Sequence, residues 1–265
     1  GDVDASLREG YLPEPVGSLD DGDREFTVRY ERGIDSVYIP HTVESTFRPT
    51  SGGDELMGVP DDAFVIAMNA ANKGKAPTRK AWSENFLAVA VLMRSHPDVW
   101  LYVHSEPVTP FGIDLPALAA AAGIPDDRIV WASAYPYRIG AYDERALAKI
   151  YTRADVLLAV SMGEGFGIPT IEAQACGTRV IGSDTAATPE LLGADSWAVS
   201  GQPEWDPAQG AFWFRPHVDS IHEALVAAVS AGGGRSQTAV SKAGDYAADR
   251  VVARDWMPLV ERLAE

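Results

Sequence analysis

Ser161-Met162-Gly163-Glu164-Gly165-Phe166-Gly167-Ile168-Pro169-Thr170-Ile171-Glu172-Ala173 is the stretch that decides the fold. Before it runs Asp155-Val156-Leu157-Leu158-Ala159-Val160, apolar enough for a buried strand. After it a short helical pattern stops at Cys176-Gly177, and a second apolar run begins at Arg179-Val180-Ile181-Gly182. Strand, glycine-rich turn, helix, glycine stop and strand make a parallel βαβ crossover. Pro169 suits the first helical turn, where a missing N–H costs nothing. The turn before it aims backbone N–H groups and the positive helix end outward, which predicts a site for an anion such as a diphosphate. Gly163, Gly165 and Gly167 let a bulky ligand approach the backbone. Glu164 in the turn and Glu172 in the helix accept hydrogen bonds from hydroxyls, in which sugars and riboses are rich.

The pattern extends on both sides. Asp61 to Asn69 reads as a turn and a first buried strand, and a loop from Ala70 to Lys80 leads into an amphipathic helix over Ala81 to Arg94. Lys73, Lys75, Arg79 and Lys80 gather in that loop, in a chain of net charge −16. Val99 to His104 and Ile129 to Ala132 read as strands. Leu115 to Ala122 reads as a short helix ended by Gly123, and Glu144 to Ala154 as a helix. Strands alternating with helices imply an α/β, Rossmann-like doubly wound parallel sheet, with its ligand at the carboxyl ends of the strands. Further on, Pro189-Glu190 starts a short helix, and Ser220 with Glu223 reads as a capping box for a helix to Ala231. Ala243 to Glu265 reads as two helices meeting near Ala253 to Pro258, with Trp256 and Leu259 exposed.

At Glu164 to Glu172 the chain resembles the retaining glycosyltransferases of family 4, with their Glu-(seven residues)-Glu motif and two-domain B-type glycosyltransferase fold. The resemblance implies the donor-binding half of that fold, a nucleoside-diphosphate sugar donor of UDP or GDP type, and no other cofactor. It implies that Glu164 and the amides near Gly165, Phe166, Gly167 and Ile168 hold the sugar. Glu172 then holds the ribose, and Lys80 with Arg79 or Lys73 neutralises the diphosphate. The family places Gly-Arg where this chain has Asn69-Ala70, so a different residue replaces that arginine. Ser133 to Arg138 sits where the family recognises the nucleobase, with Tyr135 as a candidate beside the plainer reading of an ordinary loop tyrosine. Ser183 to Leu191 resembles the family's sugar-facing loop, with alanine and threonine in place of its glycines.

Val37 to Pro49 resembles the family's interdomain crossover, with His41 part of that crossover rather than a catalytic base. The expected organisation is a polar tail or remnant at 1–36, a crossover at 37–50 and the donor-binding domain at 51–265. Residues 1–36 are too few for the family's first domain, so an acceptor domain or partner chain is expected as a partner. Three readings follow. One is a metal-independent retaining glycosyltransferase of unknown acceptor, the second a nucleotide-sugar epimerase of the same fold, and the third a catalytically silent nucleotide-binding module.

Composition narrows the classes. A chain of 265 residues with 46% hydrophobic content buries a full core. The strong negative charge argues against holding a nucleic-acid backbone. No run of eighteen apolar residues and no signal peptide is visible, so a cytoplasmic protein without a transmembrane segment is expected. One cysteine, Cys176, allows no intrachain disulfide and reads as a small buried residue. Asp2-Val3-Asp4 and Asp21-Gly22-Asp23 have Asp-x-Asp spacing but no strand before them, and no metal site is expected.

Overall fold

The computed structural model describes residues 37–53, 57–74, 77–207 and 210–264. The two Asp-x-Asp pairs, the polar tail and Lys75 lie outside them. Two compact units are defined: His41–Arg250, and, among the described residues, 37–40 with 251–264.

The larger unit is built on strands whose side chains alternate between two apolar layers, as a period of two dictates. In β1 (Phe64–Asn69) Ile66 and Met68 join one core cluster, while Val65 and Ala67 join the other. β2 (Val99–His104) splits the same way, with Leu101 and Val103 against Tyr102. So does β4 (Val156–Ala159), with Val156 and Leu158 against Leu157. A strand apolar on both faces must be covered on both, which is the condition for a parallel sheet between helical layers. β3 (Ile129–Trp131), β5 (Arg179–Ser183) and β6 (Trp197–Val199) complete six parallel strands in the order β3-β2-β1-β4-β5-β6. This confirms the α/β, doubly wound architecture.

The order reverses between β1 and β4, whose register pairs Ile66 with Val156 and Ala67 with Leu157. Asp155 clips that junction. Its N–H donates to Val65 O at 2.9 Å, and its carboxylate accepts from Val65 N–H at 2.7 Å.

The helices follow from their caps and apolar spacing. α1 (Trp82–Ser95) buries Trp82, Phe86, Val89, Ala90 and Met93, one face of a helix, and packs on α7 (Val218–Ala231) through a layer that includes Ile221 and Leu225. Asp114 caps α2 (Leu115–Ala122) and Asp143 caps α4 (Glu144–Arg153), each accepting a first-turn amide. Gly123 ends α2 with φ 88°. α5 (Ile168–Ala175) is the helix after the glycine turn, with Pro169 in its first turn, and α6 (Thr188–Leu191) holds Pro189 and Glu190. Ser236 caps α8 (Gln237–Gly244).

Several expectations need correction. α1 starts at Trp82 rather than Ala81, because Ala81 adopts a left-handed φ of 46° that no helix continues through. Ser133 to Arg138 is not a plain loop, since Ala134–Arg138 is a short helix, α3. The capping box at Ser220 does not form. α7 begins two residues earlier, and the Ser220 hydroxyl accepts from Ser200 N–H at 3.0 Å instead. The alternation that makes an antiparallel hairpin of β7 (Gly201–Asp206) and β8 (Ala211–Pro216) was not read from the sequence.

In the smaller unit the expected join near Ala253 to Pro258 is a π-helical segment, Val252–Trp256, followed by α9 (Met257–Ala264). Trp256 is exposed as expected, but Leu259 is half-buried.

Asp155→Ala leaves the Val65 amide without its side-chain acceptor, so we expect a loss of roughly 1–3 kcal/mol of stability. Urea unfolding of both proteins checks this, and equal midpoints would show that the clip is dispensable.

Candidate functional site

In a doubly wound sheet the ligand crevice is expected outside the carboxyl ends of the strands where the order reverses, here β1 and β4, and two loops meet there. The β1–α1 loop carries Arg79 and Lys80, and the β4–α5 turn carries Glu164. Backbone bonds hold the two loops together: Met162 N–H donates to Arg79 O at 2.7 Å, and Phe214 N–H of β8 donates to Met162 O at 2.9 Å. Asn85, fully buried in α1, donates to Lys80 O at 3.2 Å and to Val160 O at 3.0 Å. The turn's start is fixed by Ser183, whose hydroxyl accepts from Ser161 N–H at 2.9 Å and donates to Ser161 O at 2.5 Å.

Glu164 holds both cations. Its Oε2 lies 2.9 Å from Arg79 Nη1, and its Oε1 pairs with Lys80 Nζ. Arg79 Nη1 also donates to Gly163 O at 2.6 Å. Burial pushes the Glu164 carboxyl up, but Lys80 and Arg79 outweigh it and hold it below the usual carboxylate range. The cluster of Arg79, Lys80 and Glu164 thus carries one net positive charge in an acidic protein.

The glycines divide by role. A Cβ on Gly163 or Gly165 would meet nothing within 4 Å, so their faces are open to a ligand. Gly167 sits at φ 105°, a conformation that L side chains avoid, and starts α5 there. The Phe166 side chain is core, with its ring 5.1 Å from His41 and 5.7 Å from Tyr246. Only its backbone is left for a ligand. Ile168 is exposed.

Glu172 lies half-exposed on α5. Its Oε2 accepts from the Tyr151 hydroxyl at 3.0 Å, and that hydroxyl accepts from Asn69 Nδ2 at 2.7 Å. Burial raises the Glu172 carboxyl above its ordinary range, Tyr151's hydrogen bond opposes that rise, and nearby Glu144 adds to it.

The structure therefore gathers Arg79, Lys80, Glu164 and the glycine turn, with Glu172 on the helix that follows. It does not join Lys73 to the cations. Lys73 is exposed on a part of the loop tied elsewhere. There the buried Asn72 side chain binds Ile113 O at 2.8 Å and Ile113 N–H at 3.0 Å, and Gly74 N–H donates to Phe111 O. Tyr135 projects from α3 with 74% of its surface exposed. Beside it Arg138 Nε donates to Glu106 Oε1 at 2.6 Å.

Sequence reasoning missed Tyr151 as the partner of Glu172 and Asn69 as the partner of Tyr151. Asn69 was visible as the residue standing in the family's glycine position, but the contact spans 82 residues of chain. It also missed the brace from the hairpin, where Arg215 Nε binds Glu84 Oε1 at 3.2 Å and Nη1 binds Glu204 Oε2 at 3.0 Å. Among the described residues no group of three or more histidine, cysteine or carboxylate side chains could hold a metal ion. No helix there is long and apolar enough to cross a membrane.

The strand order defines a doubly wound α/β domain, a fold that takes its ligand at the topological switch point. A profile described as "Glycosyl transferases group 1" matches residues 137–211, which include the turn and both glutamates. A D-inositol 3-phosphate glycosyltransferase of Segniliparus rotundus is 34% identical over 229 residues, 73% of this chain and 47% of that protein. A "GDP-mannose-dependent alpha-(1-6)-phosphatidylinositol dimannoside mannosyltransferase" of Mycobacterium tuberculosis is 41% identical over 63 residues, covering 23% of this chain and 16% of its own. The solved C-terminal domain of a glycosyl transferase group 1 family protein (LpcC) from Francisella tularensis superposes with TM-score 0.51 at 22% identity, over 79% of this chain and 95% of that one. A sucrose-phosphate synthase from Thermosynechococcus elongatus superposes with TM-score 0.62 at 17% identity, over 85% of this chain and 52% of its own. The chain belongs to the group 1 glycosyltransferases. It spans about half the length of the D-inositol 3-phosphate glycosyltransferases it matches.

His104, at the end of β2, gives the crevice region a pH signature. Its Nδ1 lies 3.1 Å from the Tyr102 hydroxyl, and burial lowers its pKa from 6.5 to about 4. The folded state therefore refuses a proton that the unfolded chain accepts below pH 6.5. Stability from this group is complete above that pH and falls by about 1.4 kcal/mol per unit down to about pH 4. Denaturation across this window should show a shallower pH slope for His104→Gln than for the wild type, and parallel slopes would refute the assignment.

Proposed function

We propose that this chain is the donor-binding part of a metal-independent, retaining glycosyltransferase that uses a nucleoside-diphosphate sugar of UDP or GDP type. The observation that carries the reading is the pairing of Arg79 and Lys80 with Glu164 at the switch-point crevice. A diphosphate group needs cations, and a sugar needs an acceptor carboxylate. The β1–α1 loop supplies the cations and the β4–α5 turn the carboxylate, within one hydrogen-bonded cluster.

In this reading the diphosphate takes Lys80 and Arg79 away from Glu164, and the released carboxylate accepts hydroxyls of the sugar. The bond from the anomeric carbon to the phosphate oxygen breaks, and its electron pair leaves with the nucleoside diphosphate. The acceptor oxygen bonds to that carbon on the same face, and its proton passes to the departing phosphate. Lys80 and Arg79 stabilise the charge that grows on the leaving group, the moment at which a preorganised cation contributes most. The open faces of Gly163 and Gly165 give the sugar and phosphate access to the backbone, and Glu172 accepts the ribose hydroxyls. The named activities of the relatives, sugar transfer to an inositol phosphate or from GDP-mannose, are consistent with this donor chemistry. An acceptor-binding domain or partner chain completes the enzyme.

Titration calorimetry with a nucleoside and its diphosphate tests the cations. Lys80→Ala should weaken diphosphate binding by roughly 1.5–3 kcal/mol while sparing the nucleoside. Equal losses for the two ligands would show that Lys80 is not at the phosphates.

A further inference from the structure

Three groups drawn from three elements are joined by hydrogen bonds: Asn69 at the end of β1, Tyr151 in α4 and Glu172 in α5. Their hydrogen-bond directions are fixed by chemistry. An amide nitrogen only donates, so Asn69 Nδ2 fills a lone pair on the Tyr151 oxygen at 2.7 Å. The phenol has one proton, and a carboxylate only accepts, so that proton points at Glu172 Oε2, 3.0 Å away. Tyr151 is 1% exposed, and its ring packs against Phe47, so the hydroxyl has little freedom to turn elsewhere. Among the described residues Glu172 Oε1 has no hydrogen-bond partner. A half-exposed glutamate is thus pinned by one oxygen and presents the other.

We infer that Tyr151, held by Asn69, is the positioning residue that sets Glu172 for the ribose of the donor. The inference rests on the reading of Glu172 as the ribose acceptor and adds the device that makes it work. Left unpinned, a glutamate has three side-chain torsions to order when a ligand arrives, and fixing them beforehand lowers the entropy that binding must overcome. It also gives Asn69 a task, at a position where the family's pattern has a glycine followed by an arginine.

The relay does electrostatic work as well. Burial and the charge of Glu144 on α4 push Glu172 toward its neutral form, and the Tyr151 hydroxyl acts against them. Cys176, at the end of α5, is the other ionisable group coupled to Glu172, and burial pushes its thiol up to about 12, so it stays uncharged in the working range. A neutral Glu172 has a proton on one oxygen and accepts the two ribose hydroxyls less well. Removing the phenol hydroxyl should therefore move the pH at which affinity is lost upward, toward neutrality.

The test uses calorimetric titration of the whole chain with UDP or GDP, whichever the wild type binds, with its 2′-deoxy form, and with inorganic pyrophosphate. The wild type should prefer the ribonucleotide by ~10-fold or more, the size of a charge-assisted hydrogen bond. Tyr151→Phe keeps the ring and should shrink that preference to about threefold or less, with pyrophosphate affinity unchanged. The acid limb of its affinity profile should shift to higher pH. Asn69→Ala should move the same readouts in the same direction by less, and it carries the test if Tyr151→Phe folds poorly. A wild type that discriminates, beside variants that keep its full ratio and its pH midpoint, would overturn the inference and leave the ribose reading standing. A wild type blind to the 2′ hydroxyl would overturn the ribose reading and this inference with it.

Discussion

The pairing of β1 with β4 is the constraint on which the rest depends. Two strands far apart in sequence lie side by side, and the chain departs from them in opposite directions to build the two halves of the sheet. Loops leaving such neighbours at their carboxyl ends cannot cover each other, so a crevice opens there. Asp155 holds the pair in register at its start through two bonds to Val65. Everything at the site is measured from that register. Asn69 ends β1, the Glu164 turn follows β4, and α5 begins at Gly167. A slip of one residue would send Val65 and Ile66 to the wrong apolar layers and move Asn69 away from Tyr151.

Charge is arranged against the trend of the molecule. The chain carries sixteen more acidic than basic residues, yet Arg79 and Lys80 converge on one carboxylate. Long cationic side chains on an exposed loop would ordinarily lose any such pairing to solvent and entropy. Here the backbone of the loop is fixed first. Asn85 ties Lys80 to the end of β4, and Met162 bridges Arg79 to the β8 hairpin. Lys80 and Glu164 are also sheltered, with side-chain exposures of 18% and 14%. The pairing is thus built into the scaffold, and the hairpin is part of that scaffold.

The glutamates illustrate how one motif acquires two environments. Glu164 meets cations and is held below the usual carboxylate range, whereas Glu172 meets burial, a neutral phenol and another carboxylate and is pushed above it. Eight positions separate them in the chain, but they depend on different neighbours. Glu164 depends on the loop after β1. Glu172 depends on α4 and on the last residue of β1.

By itself the sequence determined the strands from β1 to β5, most of the helices between them, and their order. Apolar runs, Gly123 and the glycine turn before Pro169 are local signals, each interpretable over a few residues. The motif from Glu164 to Glu172 is continuous, so the turn, the helix start and both carboxylates were legible in the order of residues alone, and Arg79 and Lys80 stood out against an acidic background. The tertiary structure decided what is non-local. It chose Arg79 and Lys80 over Lys73 as the partners of Glu164, since the Asn72 and Gly74 bonds tether the start of the loop toward residues 111 and 113. It moved the start of α7 ahead of Ser220 and gave that hydroxyl to Ser200. It paired β7 with β8 beneath the loop, and it brought Asn69, Tyr151 and Glu172 into one chain of hydrogen bonds. The Asn69–Tyr151 and Lys80–Glu164 contacts join residues 82 and 84 positions apart, and a pattern confined to neighbouring residues holds no record of which distant partner a side chain will meet.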